Sequence, residues 1–405
     1  MLRAQIQIGR RMRQLRTALR SEGPGWLAER ARHAISERIR PASSIPQVRP
    51  ADVLAADLSD CTVVPALPYA VAAPVLVNWV MLPPSAGSGG HTTIFRILRH
   101  LEANGFSNRV YFYDPYLGDH QYYASIVGDY FGFEGMVSNI DDGMRDAHVV
   151  MATSWPTAYP VYSARTLGRK FYFVQDFEPA FYATCTDSIL SENTYRMRLH
   201  AVTAGRWLAQ KLARDYGMEA GHFDFGCDTS QYRLEGSSAR NGVAFYARPG
   251  APRRGFELGI MTLELLKQRR PDIEVHLYGS KIGRLPFDFI DHGLVSPKEL
   301  NSIYNRCRAG LTLSLTNVSL VPHEMLATGC IPVVNDAEHN RIVLDNPFVR
   351  YAAHSPHALA GALEAVVDEP DFDALSRAAA DSVRTAGWDD AGRQVDKILR
   401  QSLAS

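Results

Sequence analysis

The stretch GLVSPKELNSIYNRCRAGLTLSLTNVSLVPHEMLATGCIPVVND, residues Gly293 to Asp336, decides the fold. Ser296, Pro297 and Glu299 stand as N-cap, first helical position and third residue after the cap, the signature of a helix start. Leu300, Ile303, Tyr304 and Cys307 recur at i, i+3, i+4 and i+7 and give that helix one apolar face. Ala309 to Leu315 reads as a strand, followed by a polar loop and a short helix entered at Pro322 and closed by Gly329. Cys330 to Val334 is an apolar run of the length expected for a buried parallel strand. Helix, strand, loop, helix, strand is the order of a doubly wound α/β domain, whose ligands bind at the carboxyl ends of the strands. Glu324 falls in the first turn of the short helix, just past such a strand end. A carboxylate there can accept ribose hydroxyls, or it can simply complement the helix dipole.

The rest of the chain is bounded by its composition. Its 405 residues suffice for two domains with full cores, and 46% hydrophobic with 21% charged residues is globular composition. Lys+Arg and Asp+Glu both number 43, so net charge gives no argument for a nucleic-acid partner. Cys61, Cys185, Cys227, Cys307 and Cys330 lie far apart, which points to a reducing compartment and no structural zinc. The first 40 residues carry ten arginines against Glu22, Glu29 and Glu37, with Leu2, Ile6, Ile8, Met12, Leu15 and Leu19 loosely on one helical face. Such a basic amphipathic arm suits either an anionic membrane surface or a solvated helix beside the fold; it lacks the apolar core of a secretory signal. Pro41, Pro46, Pro50, Pro65, Pro68 and Pro74 mark a linker. Cys61 to Ser88 is uncharged and long enough to span a membrane, but its prolines favour a strand at Val75 to Met81 instead.

Candidate site residues follow the strands. After Val75 to Met81 comes the loop Pro83 to His91, containing Gly87, Gly89 and Gly90, then a helix with Ile94, Ile97, Leu98 and Leu101 on one face, stopped at Gly105. Backbone amides at such a helix start can approach an anionic group, and His91 beside them is a candidate catalytic residue or only a cap-region one. A dinucleotide reading, with Asp114 at the end of the next strand on a ribose, rests on a partial GxGxxG in which Thr92 replaces the third glycine. Strands at His148 to Thr153, Lys170 to Gln175 and His200 to Thr203 precede a helix at Arg206 to Tyr216. Gln175, Asp176 and Glu178 cluster at a carboxyl end, where the two acids could serve as base or as hydroxyl acceptors. Past a Gly236-Ser237-Ser238 linker, strand Val243 to Tyr246 leads into a Gly/Pro loop with Arg248, Arg253 and Arg254. Guanidinium forks there match diphosphate oxygens. Further strands at Glu274 to Gly279 and Val349 to Ala352, a helix at Pro356 to Val367 and two amphipathic helices complete the chain.

These residues carry a resemblance. A Gly-Gly loop after the first strand, a basic loop opening a second α/β domain and GLVSPKEL…HEMLATGCIPVV resemble nucleotide-sugar-dependent glycosyltransferases of GT-B fold. GSGGHTTIFRILRHLEANG, FVQDFEP and FYARPGAPRRGFELG resemble family 4, and within it the WsaF-type rhamnosyltransferases, from about Val75 onward. The resemblance implies two Rossmann-like doubly wound domains facing a cleft: a basic helical arm and linker at 1–70, an acceptor domain at 71–235, a donor domain at 236–385, and a last helix at 386–405 packing back on the first domain. It implies transfer of a sugar, L-rhamnose from dTDP-L-rhamnose, to a bacterial surface glycan or lipid-linked glycan, with retention and no cofactor or metal. By position Arg248 and Arg253 match the donor-diphosphate pair, Glu324 the ribose carboxylate, Gly89 and Gly90 the loop facing the diphosphate, and Gly293 and Leu294 the base-reading segment. Thr316 and Gln175 depart from the family, which has a glutamate and a histidine at those places on donor-sugar hydroxyls; their loss suits a 6-deoxy sugar. Asp176, Glu178 and His91 are the catalytic candidates. The expected location is cytoplasmic, with peripheral contact on the inner face of the plasma membrane through residues 1–40 as an option. A glycan-binding scaffold or a nucleotide-sugar epimerase are the alternatives.

Overall fold

The computed structural model describes residues 47–59, 65–69, 73–85, 87–116, 118–236, 240–384 and 387–404. The arginine-rich arm, Cys61 and the Ser237-Ser238 linker lie outside them. From Val48 onward the chain clusters as one unit built on two parallel sheets.

Among the described residues the first sheet holds β1 (Val75–Met81), β2 (Phe106–Phe112), β3 (Met136–Asn139), β4 (Val149–Ala152), β5 (Arg169–Val174), β6 (His200–Ala204) and β7 (Ala220–Phe223), in the order 3-2-1-4-5-6-7. The second holds β8 (Gly242–Tyr246), β9 (Glu274–Tyr278), β10 (Ile290–Asp291), β11 (Cys307–Thr312), β12 (Ile331–Asn335) and β13 (Arg350–Ala352), in the order 10-9-8-11-12-13. In each sheet the order reverses beside the first strand, so a crevice opens between β1 and β4 and another between β8 and β11. The α/β class and paired doubly wound architecture read from the sequence are what the structure contains.

β1 and β12 are buried along nearly their whole length, as parallel strands under helices must be. Asn78, the polar interruption in β1, donates from Nδ2 to Arg145 O at 2.6 Å, and Trp79 Nε1 donates to Asn108 Oδ1 at 2.9 Å. Pro332 sits inside β12 opposite Gly310, one residue before β13 begins to pair at Val333, so its missing N–H costs the sheet no ladder bond on that side.

The chain passes to the second sheet between β7 and β8 and returns at its end. Ala391, Val395 and Leu399 of the helix Trp388–Ala404 belong to the core under β1, β4 and β5 of the first sheet. Gly392 permits this: a Cβ there would lie 2.2 Å from His100 Cγ on the helix Gly89–Ala103. Near the other terminus, part of the expected linker is the helix Pro50–Ala55, lying against the helix Trp155–Ser163.

The opening stretch folds nearly as read, with two shifts. Ser296 Oγ accepts from Glu299 N, and Glu299 Oε2 accepts from Ser296 N at 2.7 Å, closing the capping box. Cys307, read as the last apolar position of that helix, is instead the first residue of β11. That strand stops at Thr312 instead of Leu315, because Asn335 captures the next backbone: Asn335 Oδ1 accepts from Ser314 N at 2.8 Å and Nδ2 donates to Ser314 O at 2.9 Å. Asp114 also corrects a reading. Its carboxylate accepts from Tyr116 N at 3.0 Å and Gly118 N at 2.6 Å, so it closes its own loop and is not presented to a dinucleotide ribose. None of the described helices is long and apolar enough to cross a membrane.

Candidate active site

The carboxyl edge of β8 presents the basic loop. Pro252–Arg254 form a 3₁₀ turn closed by Gly255 at φ +59°, where a Cβ would press to 3.0 Å from Leu313 Cδ1. The turn therefore seats against the loop after β11, and Leu315 N donates to Arg253 O at 3.0 Å. Arg254 is the most enclosed of the three arginines. Its Nη1 donates to Ser314 Oγ at 3.0 Å and to Asn317 O at 3.1 Å. Arg253 is half-buried over the Phe181 ring, 4.4 Å from its centroid, and Arg248 Nη1 donates to Tyr246 Oη at 3.2 Å.

Facing this loop is the end of β5. Asp176 Oδ2 lies 3.4 Å from Arg253 Nε and 4.0 Å from Arg254 Nη2, and Oδ1 accepts from Phe177 N at 2.9 Å. Burial still holds its carboxyl above the ordinary range, although Arg254, Thr316 and Arg253 pull the other way. Asn317 ties the two domains by a second route, its Nδ2 donating to Gln175 O at 2.9 Å and Ala204 O at 3.1 Å. Gln175 in turn reaches the glycine loop: a Cβ at Gly90 would lie 3.4 Å from Gln175 Nε2. Gly89 and Gly90 begin the helix Gly89–Ala103, whose N-cap Ser88 makes no side-chain capping bond, and a Cβ at Gly89 would meet nothing within 4 Å. The backbone there is open to a ligand.

Glu178 and His91, two of the candidates for chemistry, are both engaged in hydrogen bonds that hold the surrounding chain. Glu178 is buried, with Oε2 accepting from Trp155 N at 2.7 Å and Oε1 from Tyr172 Oη at 2.9 Å. Desolvation pushes its carboxyl to about 7 against those two donors. It caps the first turn of Trp155–Ser163 together with Thr157, whose Oγ1 accepts from Ser154 N at 3.1 Å. His91 Nε2 faces Leu82 O at 3.1 Å, and a carbonyl only accepts, so Nε2 carries the proton and Ser88 Oγ donates to Nδ1 at 2.8 Å. Burial lowers its pKa, consistent with a neutral ring that staples the loop. Glu178→Gln is therefore expected to destabilise the fold by about 1 kcal/mol, one compromised hydrogen bond, while leaving the pH profile of turnover in place. Denaturant unfolding and a pH–rate curve check this; loss of turnover together with its acid-side limb would make Glu178 the base.

Glu324 lies in the helix Val321–Ala327, close to Tyr232, Asp228 and Arg96 of the helix Gly89–Ala103. Desolvation raises its carboxyl to about 7, with Arg96 and the Tyr232 hydroxyl bond opposing and Asp228 assisting. Arg96 is itself held, its Nη2 3.4 Å from Asp228 Oδ2 and its guanidinium over Trp388. Gly293 takes φ +61° with open space where a Cβ would stand. Asp291 fixes that turn, Oδ1 accepting from Gly293 N at 2.9 Å and Oδ2 from Ile282 N at 3.0 Å. Leu294 next to it is 83% exposed.

The fold thus brings Asp176, Arg253, Arg254, Gln175 and Gly90 into one neighbourhood, and Glu324 into another beside Arg96. Reading the sequence singled out the arginine loop but did not rank Arg254 above its neighbours, and it missed Asn317 and Phe181. Arg254 directly precedes the helix-opening glycine, which is a positional signal; Asn317 carries none, because its partners lie on distant strands. Among the described residues no group of three or more His, Cys, Asp or Glu side chains is placed to hold a metal ion.

Models of the WsaF C-terminal and N-terminal domains match residues 241–364 and 138–204. The O-antigen biosynthesis protein RfbC of Myxococcus xanthus is 30% identical over 266 residues, which are 63% of this chain and 20% of that protein. The chain therefore spans about a fifth of that relative's length. Among solved structures, TarM aligns at TM-score 0.67 with 7% identity, covering 82% of this chain and 99% of that one. Anabaena Alr3699/HepE in complex with UDP aligns at TM-score 0.64 with 12% identity, covering 81% of this chain and 100% of that one. At such identities the structures speak for the fold alone.

Proposed function

We propose that this WsaF-like chain of GT-B fold is a glycosyltransferase of surface-polysaccharide assembly that draws its sugar from a nucleotide-sugar donor. One observation carries the reading: an arginine loop at the carboxyl edge of one sheet faces an open, glycine-started helix at the carboxyl edge of the other. The two are joined through Asp176 and Gln175. A diphosphate between them meets guanidinium donors from one side and backbone N–H groups from the other. The names of RfbC and of the UDP-bound structure support the direction of the proposal, a surface glycan as product and a nucleotide as handle.

The chemistry follows from what each group can do. As the bond between the anomeric carbon and the diphosphate oxygen breaks, negative charge grows on the leaving group, and Arg248 and Arg253 with the amides of Gly89 and Gly90 stabilise it without a divalent metal. The acceptor oxygen bonds to the same carbon. With both Glu178 oxygens and both His91 nitrogens engaged, and Asp176 held between Phe177 N and Arg253, its proton goes most simply to the leaving phosphate oxygen on the same face, which retains configuration. Domain closure through Asn317 excludes competing water. The donor sugar we propose is L-rhamnose on dTDP, because Gln175 and Thr316 stand where the resembling family has a histidine and a glutamate on donor-sugar hydroxyls, the histidine near the sixth carbon.

Nucleotide release tests this. Incubated with dTDP-L-rhamnose, the protein is expected to free dTDP, faster when a polysaccharide primer is added, and Arg253→Ala is expected to slow release by about tenfold or more. Release from another donor would keep the enzyme and discard rhamnose. Isomerised donor without release would make it an epimerase, and an untouched donor would leave a binding subunit.

A further inference from the structure

We propose that Tyr116, Tyr122 and Tyr130 form a rail that holds the acceptor as an extended, neutral glycan chain several rings back from its reacting end. The proposal rests on the glycosyltransferase reading above and adds the class of acceptor.

Among the described residues, the aromatic side chains that stand exposed all fall between residues 116 and 130: Tyr116 at 60%, Tyr122 at 59% and Tyr130 at 55%. Every other large aromatic of the described chain is buried or partly so. Tyrosines that fold the chain are driven inward by their area; three left out on one segment are available to a ligand. The segment begins at the carboxyl edge of β2, next to β1, and runs back to the glycine loop. A Cβ built on Gly87 would lie 4.0 Å from Tyr130 Oη, so the rail ends beside the place proposed for the donor diphosphate.

Two of the rings, Tyr122 and Tyr130, are backed by other aromatics, and the Tyr116 backbone is held by Asp114. Tyr130 meets Phe131 edge-on at 4.9 Å, and Phe131 stacks on buried Phe95 at 4.6 Å. Tyr122 leans on Tyr123 at 5.9 Å, and Tyr123 meets buried Phe112 edge-on at 6.0 Å. Asp114 holds the Tyr116 turn, and Asp119 caps the helix His120–Asp129 by accepting from Gln121 N and Tyr122 N. Such rings lose little freedom on binding.

Charge decides among occupants. Residues 116–130, YLGDHQYYASIVGDY, contain no Lys, Arg or Glu; of Asp119 and Asp129, the first is spent on the cap. Arg99, the neighbouring cation, donates to Phe131 O at 3.3 Å. A lipid phosphate, nucleic acid or acidic polymer finds no free cation on this segment. A pyranose does find a match, since its C–H face lies on the electron-rich face of a tyrosine while its hydroxyls reach the phenol and water. Tyr122 and Tyr130 are eight helical residues apart, about 12 Å, farther than a single ring extends.

An array of neutral oligosaccharides from mono- to hexasaccharide, overlaid with anionic phospholipid spots, tests the rail, with donor calorimetry run in parallel. The wild type is expected to retain longer glycans and not single sugars or lipids. Tyr116→Ala and Tyr122→Ala are expected to weaken retention about tenfold each with donor affinity unchanged, and Tyr122→Phe to restore it. Alanine variants that bind glycans like the wild type, preference for the lipid spots, or no glycan retained at all would each overturn the rail. Loss of donor binding by the wild type would instead overturn the reading beneath it.

Discussion

Replacing Arg254 with alanine is expected to lower the unfolding free energy by about 3 kcal/mol, the cost of removing one partner from a buried ion pair. Arg254 is largely enclosed against Ser314 and Asn317, with 13% of its side chain exposed, and once its guanidinium is gone Asp176 is left with the more exposed Arg253 and the Phe177 N–H. The sign with pH follows from Asp176. Its folded carboxyl already sits above the unfolded value because burial outweighs its arginines, and losing the strongest of them raises it further. A raised folded pKa gives stability that is complete at acid pH and lost as pH climbs through it. The deficit of the alanine variant should accordingly be smaller at pH 5 than at pH 8. Urea unfolding at the two pH values measures it, and Asp176→Asn added to Arg254→Ala should recover part of the loss. A destabilisation under about 1 kcal/mol, or one independent of pH, would show that the pair does not hold the domains as described.

Donor affinity is expected to rise by about tenfold between pH 6 and pH 8, and Glu324→Gln to abolish that rise. Burial sets the Glu324 carboxyl at about 7 in the free protein. Below that it is an acid that spends one oxygen donating; above it, both oxygens accept ribose hydroxyls. The same group acts on stability in the opposite direction. Its folded pKa lies above the 4.5 of a free glutamate, so the stability it contributes is full below about 4.5 and disappears as pH rises through about 7. Glu178, also near 7, adds a loss of the same sign. Glu324→Gln should thus melt higher than the wild type at pH 8 and bind donor more weakly there. Calorimetry and melting curves across this range check both trends, and a variant that keeps the wild-type pH dependence of binding would remove Glu324 from the ribose site.

Much of the fold is legible in the chain because its central strands are continuous apolar runs and its helices carry explicit start and stop residues. Val75–Met81, Arg206–Tyr216 and Pro356–Val367 could be placed to the residue for that reason. β3, with every residue only partly buried, and the helix Trp155–Ser163, with Pro160 inside it, offer no such pattern and were not foreseen. The site divides along the same line. An arginine loop at a strand end is a local feature, visible in residues 248 to 254. Glu178 and His91 look like reactive groups in sequence because their partners are not local cues: Trp155 N lies in another element, and the Leu82 carbonyl belongs to a loop whose path the residues do not reveal. The same holds for Asn317, whose two acceptors end β5 and β6 in the other domain.

The central claim is that a donor diphosphate sits on the arginine loop, and titration calorimetry tests it most directly. The wild type and Arg248→Ala are titrated with dTDP-L-rhamnose, UDP-glucose and GDP-mannose. Selective binding of one nucleotide sugar by the wild type, weakened about tenfold or more in Arg248→Ala, is the predicted result. Binding that is untouched by the substitution, or no binding of any of the three, would contradict it.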